Sequence, residues 1–269
     1  MSKALYLYCI VDSPEEFKID LLGIDNEHQP YIISFHDVGV LVSQVYLKEY
    51  GQEELERKVR DLEWLQKKAD RHEAVIERVM ETNTVIPVTF GTIFKKVDKL
   101  KAVVTESLSE VREIFKLVEG HEEWGLKLYC DFSQLEDNIS ELSPEIKELE
   151  EKLEDSDEGT AYFLKRRLEI ELDKELEDRA FEVADKVYKQ LSALATEFHL
   201  NEILDLEISE VSKPMLLNSV YLVNKEKLAD FLLKLKELEK KYYDFGFYFY
   251  YSGPWPPYNF SKFKLKGRD

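Results

Sequence analysis

Residues 3–11, Lys-Ala-Leu-Tyr-Leu-Tyr-Cys-Ile-Val, run apolar almost without interruption. A short unbroken run of β-formers predicts a strand buried on both faces. Tyr31–Phe35 and Gly39–Val45 flank His36-Asp37-Val38 and predict a hairpin. From Gln52 to Glu81 the period lengthens to that of a helix, with Leu55, Val59, Leu62, Ala69, Ile76 and Val79 on one stripe. Thr84–Phe90 returns to strand, and Pro87 within it demands an edge or a bulge because proline donates no ladder hydrogen bond. Leu100, Val103, Val104, Leu108, Val111, Phe115 and Val118 mark a second amphipathic helix that Gly120 stops. Leu126–Phe132 is again a strand. Residues 1–132 are therefore expected to form an α/β sandwich, two helices on a sheet of about five strands.

Beyond it, Ser143-Pro144-Glu145 has the form of a helix start, with proline at the first helical position. The run Asp155-Ser156-Asp157-Glu158-Gly159 breaks that helix. A longer one follows on Leu164, Leu168, Leu172, Leu176, Ala180, Val183, Val187, Leu191 and Leu194, in steps of three and four. Strands are expected at Ile203–Val211 and Leu216–Val223, joined by Ser212-Lys213-Pro214. A helix over 225–241 and an aromatic strand, Phe245–Tyr251, complete the pattern. The order α-β-β-α-β is that of a ferredoxin-like βαββαβ unit lacking its first strand. Residues 133–269 are thus expected to hold a helical segment and a ferredoxin-like α/β unit.

The length of 269 residues suits two domains, and 44% hydrophobic content suits real cores. Net charge is −18, and residues 131–180 carry −11 of it, 18 acids against 7 bases. Such a body repels phosphate backbones and anionic lipid, which argues against nucleic-acid or membrane partners. The N-terminal residues have no secretory pattern, and no run of 18 apolar residues would span a bilayer, so a cytoplasmic protein is expected. Cys9 and Cys130 lie in apolar strands and are expected to be buried thiols.

Candidate chemistry is sparse. His72 sits on the first helix stripe with no second histidine or cysteine one turn away, which makes it a structural histidine rather than a metal ligand. No P-loop, dinucleotide fingerprint or nucleophile elbow occurs among only ten glycines. Gly91, between a strand and a helix, suits a tight turn better than an anion site. No catalytic residue, metal site or cofactor is expected, and no enzyme. Lys165-Arg166-Arg167 is a basic island whose simplest partners are Glu158, Glu169 and Glu171 on the same helix. In the last strand Phe245, Phe247, Phe249 and Tyr251 alternate with Tyr248 and Tyr250, so one face is core and the other presents phenols. The segment Gly253-Pro-Trp-Pro-Pro-Tyr-Asn-Phe260 follows, and its prolines forbid further strand. Its Trp255, Tyr258 and Phe260 either fold back as a plug or form a docking edge.

Six ordered segments carry a family resemblance: Leu5–Ile10 (LYLYCI), Thr84–Phe94 (TVIPVTFGTIF), Trp124–Tyr129 (WGLKLY), Gly159–Arg166 (GTAYFLKR), Leu217–Val223 (LNSVYLV) and Tyr250–Phe260 (YYSGPWPPYNF). Together they resemble the gas vesicle protein F/L family over nearly the whole chain. Thr89 departs from that pattern, where family members usually have arginine. The resemblance implies an α+β fold of two ferredoxin-like α/β domains joined by a helical acidic segment. It implies a non-enzymatic accessory protein of gas vesicle assembly, cytoplasmic or vesicle-associated. The implied partners are the small hydrophobic wall subunit (GvpA-type) and other gas vesicle accessory proteins. Nucleating the vesicle or keeping the subunit soluble would be the task. Tyr248, Tyr250, Trp255, Tyr258, Phe260, Arg166 and Arg167 are the candidate partner-binding residues. A regulatory small-ligand-binding protein with ferredoxin-like domains is the alternative.

Overall fold

The structure is a computed structural model and describes residues 2–13, 15, 19–203 and 213–262. The chain divides into two compact units, Met1–Glu123 with Pro254–Asp269, and Trp124–Gly253. In the first, β1 (Lys3–Val11), β2 (Tyr31–Phe35) and β3 (Val38–Tyr46) lead into α1 (Leu47–Tyr50), α2 (Gln52–Lys58) and α3 (Leu62–Met80). β4 (Val85–Pro87), β5 (Ile93–Phe94) and α4 (Val97–Val118) follow. The sheet order is β2-β3-β1-β4, β5 also pairs with β1, and every ladder is antiparallel.

β1 is buried from Ala4 to Val11, as its unbroken apolar run predicts. Its register against β3 shifts between Leu7 and Cys9, leaving Tyr8 as an extra residue. Such a bulge bends the strand locally. The β2–β3 hairpin closes through His36 and Asp37, with His36 at a φ of 52°. Pro87 lies on β4, at the sheet's edge, where its missing N–H costs least. The helix expected over 52–81 breaks at Val59–Asp61, because Asp61 caps α3 by accepting the Trp64 N–H. Leu62, expected on the buried stripe, is consequently an exposed first-turn residue.

The second unit runs β6 (His121–Cys130), α5 (Phe132–Asp137), α6 (Ile139–Leu142), α7 (Pro144–Glu154), α8 (Glu158–Ser192), β7 (Glu197–Leu200), β8 (Met215–Asn224), α9 (Leu228–Tyr242) and β9 (Phe247–Trp255). Its sheet order is β7-β8-β6-β9. Here the expected boundary at residue 132 is corrected. β6, expected in the first unit, lies between β8 and β9 and supplies the missing first strand. The reason is burial: Leu126, Leu128 and Cys130 share one core cluster with Val183 and Val187 of α8 and Phe231 and Leu235 of α9. The acidic helices likewise pack inside this unit instead of joining two domains. The strand expected at Ile203–Val211 lies outside the described residues, apart from Ile203.

The helix signals in this unit hold. Ser143 caps α7 with proline in its first turn, and Asp157 caps α8 through the N–H groups of Gly159 and Thr160. Leu176, Ala180, Val183, Val187 and Leu191 form a buried seam on α8, while Leu164, Leu168 and Leu172 are half-buried. Replacing Leu176 by Ala should lower the unfolding free energy by about 2–5 kcal/mol, the usual cost of a core leucine. Ile170→Ala, on the exposed side of the same helix, should stay within about 0.5 kcal/mol. Urea titration of both variants checks the pair.

Candidate functional site

A groove of about 330 Å³ opens in the first unit. Helices α1 and α2 line it with Leu47, Tyr50 and Leu55, Val59 lines it at the end of α2, and the segment after β4 lines it with Phe90 and Ile93. Gln52, Glu56 and Lys95 contribute polar atoms. The lining is mostly aliphatic and aromatic, which suits an apolar occupant.

Buried hydrogen bonds hold this groove in shape. His72 is 1% exposed, and its Nε2 lies 3.2 Å from the Val88 carbonyl, so Nε2 carries the proton. Nδ1 then accepts from the Tyr6 hydroxyl at 3.0 Å. That hydroxyl in turn accepts the Gly91 N–H at 3.1 Å. Gly91 has a φ of +79°, a conformation that favours glycine, so the tight-turn reading stands. The Phe90 ring packs edge-on against Tyr6, Trp64 and His72. Thr92 Oγ1 donates to the Thr89 carbonyl at 2.6 Å, while Thr89 itself is exposed. On the other side, the Tyr8 hydroxyl accepts the Ile24 N–H at 2.7 Å and pairs with Ser43. The Tyr50 hydroxyl donates to the Ile24 carbonyl at 2.9 Å. Gly23 must be glycine here, since a Cβ would stand 2.7 Å from both the Tyr8 hydroxyl and Ser43 Oγ.

Burial lowers the pKa of His72 to about 4, against a weaker raising effect of the Val88 carbonyl. The folded pKa lies below the unfolded value, so the unfolded chain takes up the proton first. Stability from neutral His72 is therefore intact above its usual pKa of 6.5 and falls as pH drops toward about 4. The loss approaches about 1.4 kcal/mol per pH unit within that window. In His72→Gln this part of the acid slope should vanish, measured as the difference between wild-type and variant urea midpoints against pH.

The Pro-rich segment closes the same unit. The Tyr258 hydroxyl donates to Glu73 Oε1 at 2.8 Å, and the Tyr258 ring packs against the core cluster that contains Tyr6 and Ile76. Glu123 receives both the backbone N–H and the side-chain amide of Asn259, at 3.0 and 2.6 Å. Phe260 is buried. Burial raises the pKa of both carboxyls. Of the two alternatives for this segment, Tyr258 and Phe260 fit the plug: Phe260 is buried, and Tyr258 is half-buried against the core of the first unit. The second Glu73 oxygen is buried without a hydrogen-bond partner among the described residues. Tyr258→Phe removes this hydrogen bond from a buried carboxyl and should cost about 1–3 kcal/mol in urea unfolding.

β9 starts at Phe247, two residues later than expected, and runs through Pro254 to Trp255, because on an edge strand the missing proline N–H can face away from the ladder. Between Phe247 and Tyr250 the alternation holds. Phe247 and Phe249 are buried, and Tyr250 is 51% exposed with its ring edge-on to Tyr129. Tyr248 is half-buried, its hydroxyl donating to Gln134 at 2.9 Å and its ring covered by the Lys213 ammonium at 4.7 Å. Trp255 is 41% exposed. Arg166 and Arg167 are exposed on α8, and Arg167 pairs with Glu171 at 3.3 Å, one of its three expected partners. The tyrosines of one strand thus stay together, while the arginines form a separate feature.

Both cysteines are buried free thiols with pKa values raised by burial, that of Cys130 to about 12. Sequence reasoning missed the groove, since Leu55 and Phe90 are far apart in the chain and meet only through the fold. It also missed Asp25, Glu27 and His28, whose candidate ligand atoms lie within 4.8 Å of one another. Asp25 already accepts from the backbone of Glu27 and His28 and from the His28 ring, which locks the loop.

Residues 4–262 match the family described as gas vesicle synthesis protein GvpL/GvpF. The chain belongs to this family. It is 25% identical to gas vesicle protein L1 of Halobacterium salinarum, covering 97% of this chain and 91% of that one. It is 24% identical to gas vesicle protein F1 of the same organism, over 97% and 93%. The crystal structure of gas vesicle protein GvpF from Microcystis aeruginosa shares the fold, with a TM-score of 0.65 at 20% identity over 97% and 99% of the two chains. The family and its relatives support a role in gas vesicle formation. Among the described residues no helix is long and apolar enough to cross a membrane.

Proposed function

We propose that this GvpL/GvpF family member is a non-enzymatic, cytoplasmic assembly factor that binds the small apolar wall subunit of the gas vesicle. It holds the subunit soluble or nucleates the wall with it. The groove between α1–α2 and Phe90 supports this reading most directly. It offers an apolar surface on a protein of net charge −18, so an apolar client can be covered while the complex stays soluble. Tyr250 and Trp255, with the more enclosed Tyr248, are proposed as a second contact, and other accessory proteins as further partners.

A second reading has one specific observation in its favour. The groove's volume lies at the lower end of small-molecule sites, which run about 300–1,000 Å³. A regulatory metabolite-binding protein would show a raised melting temperature with its ligand.

Retention of purified wall subunit on the immobilised protein separates these readings. Val59→Arg, at the groove, should cut retention at least tenfold, and Tyr250→Ser with Trp255→Ser should weaken it a few-fold, both with unchanged circular dichroism. Full retention by both variants would overturn the proposed surfaces. No retention by the folded wild-type protein, together with a metabolite that raises its melting temperature, would favour the second reading.

A further inference from the structure

Helix α8 has two faces, and only one is accounted for by the fold. Leu168, Leu172 and Leu176 look toward the core of the second unit. On the opposite side Phe163 is 72%, Ile170 70% and Phe181 55% exposed. At about 100° per residue these three and Lys174 fall within roughly 20° of a single line along the helix, about 27 Å long. Isolated exposed apolar residues are ordinary, but aligned ones on a strongly charged helix are not.

The charges beside this line have an order. Arg166 and Glu177 flank it on one side, and Arg167 and Asp178 on the other, each within roughly 60°. The bases stand near Phe163 and the acids near Phe181. Among the described residues Arg166, Glu177 and Asp178 have no ion pair, and the Arg167–Glu171 pair is exposed, so exchanging it costs little.

We propose that this face binds a second copy of the chain, with the two α8 helices antiparallel and the two-fold axis level with Leu172. In an antiparallel pair the same flank of each helix meets its counterpart, as in antiparallel coiled coils. Phe163 then lies over Phe181 of the second copy, and Ile170 lies under the methylene stem of its Lys174. Arg166 meets Glu177 of the second copy on one flank, and Arg167 meets its Asp178 on the other. Both arginines face an acid. A parallel, in-register pair would instead set Arg166 against Arg167 of the second copy and Glu177 against its Asp178, so the same four residues select against it. The contact is narrow, and the association is therefore weak and sensitive to salt.

Sedimentation velocity on the full chain tests this, with circular dichroism to verify folding. Wild-type protein should form dimers as concentration rises through the micromolar range, and added salt should weaken them. Arg166→Glu with Arg167→Glu should weaken dimerisation at least tenfold, as should Glu177→Arg with Asp178→Arg. Mixing the two doubly substituted proteins should restore a dimer, because one now carries four acids at these positions and the other four bases. Phe163→Ser with Ile170→Ser should remain monomeric. A wild-type monomer at every concentration, a dimer indifferent to charge reversal, or failure of the mixture to associate would each overturn the proposal. So would a wild-type monomer whose Phe163→Ser/Ile170→Ser variant loses the wall subunit, since that result gives the face to the client.

Discussion

The first unit depends on satisfying three polar groups that its central strand and its long helix bring into the core. Tyr6 and Tyr8 lie on a strand with no exposed residue from Ala4 to Val11, and His72 meets both rings from α3. Left unpaired, each would cost about 1–3 kcal/mol. Each instead ties down a different piece of chain: Tyr6 the turn at Gly91, Tyr8 the loop at Ile24, and His72 the carbonyl of Val88. The groove is the space between segments held in this way. Its α1–α2 wall is joined to the Ile24 loop through Tyr50, and its other wall is held through Tyr6 and His72. The groove is thereby supported by buried hydrogen bonds, which are directional, as well as by apolar packing, which is not.

The second unit meets a different constraint. Its acidic helices must bury one seam while keeping enough charge outside for solubility. Helix α8 does so over 35 residues, and its exposed carboxylates recur beside lysines and arginines at helical spacing. Such pairs add little stability individually. Their order along the helix carries more information than their number, because order decides which helices can lie against this one.

Edges and termini of the sheets are protected by proline. Pro87 sits on an edge strand, Pro254 lies within the edge strand β9, and Pro256 and Pro257 follow its end, where the chain enters the first unit. Proline on an edge strand offers no N–H to a further strand and so limits uncontrolled strand addition.

Much of this was readable from local pattern. The unbroken apolar run of β1, the turn at His36-Asp37, the proline start of α7, the acidic cap of α8 and the phenylalanine–tyrosine alternation of β9 all follow from periodicity and capping, which act over a few residues. The solitary His72 and the buried thiols followed from the absence of nearby ligands and from their apolar neighbours. What local pattern left open was which sheet a strand joins and which way an aromatic turns. Leu126–Phe132 has the same alternating character whichever sheet buries it, and only the joint burial of Leu126 and Leu128 with α8 and α9 places β6 in the second unit. Tyr258 and Phe260 look no less suited to docking than Trp255 does, until Glu73 and Glu123 are seen to receive Tyr258 and Asn259. The groove is the extreme case: Leu55 and Phe90 have no relation in sequence, and their meeting is decided by long-range hydrogen bonds and burial, which no short window of residues contains.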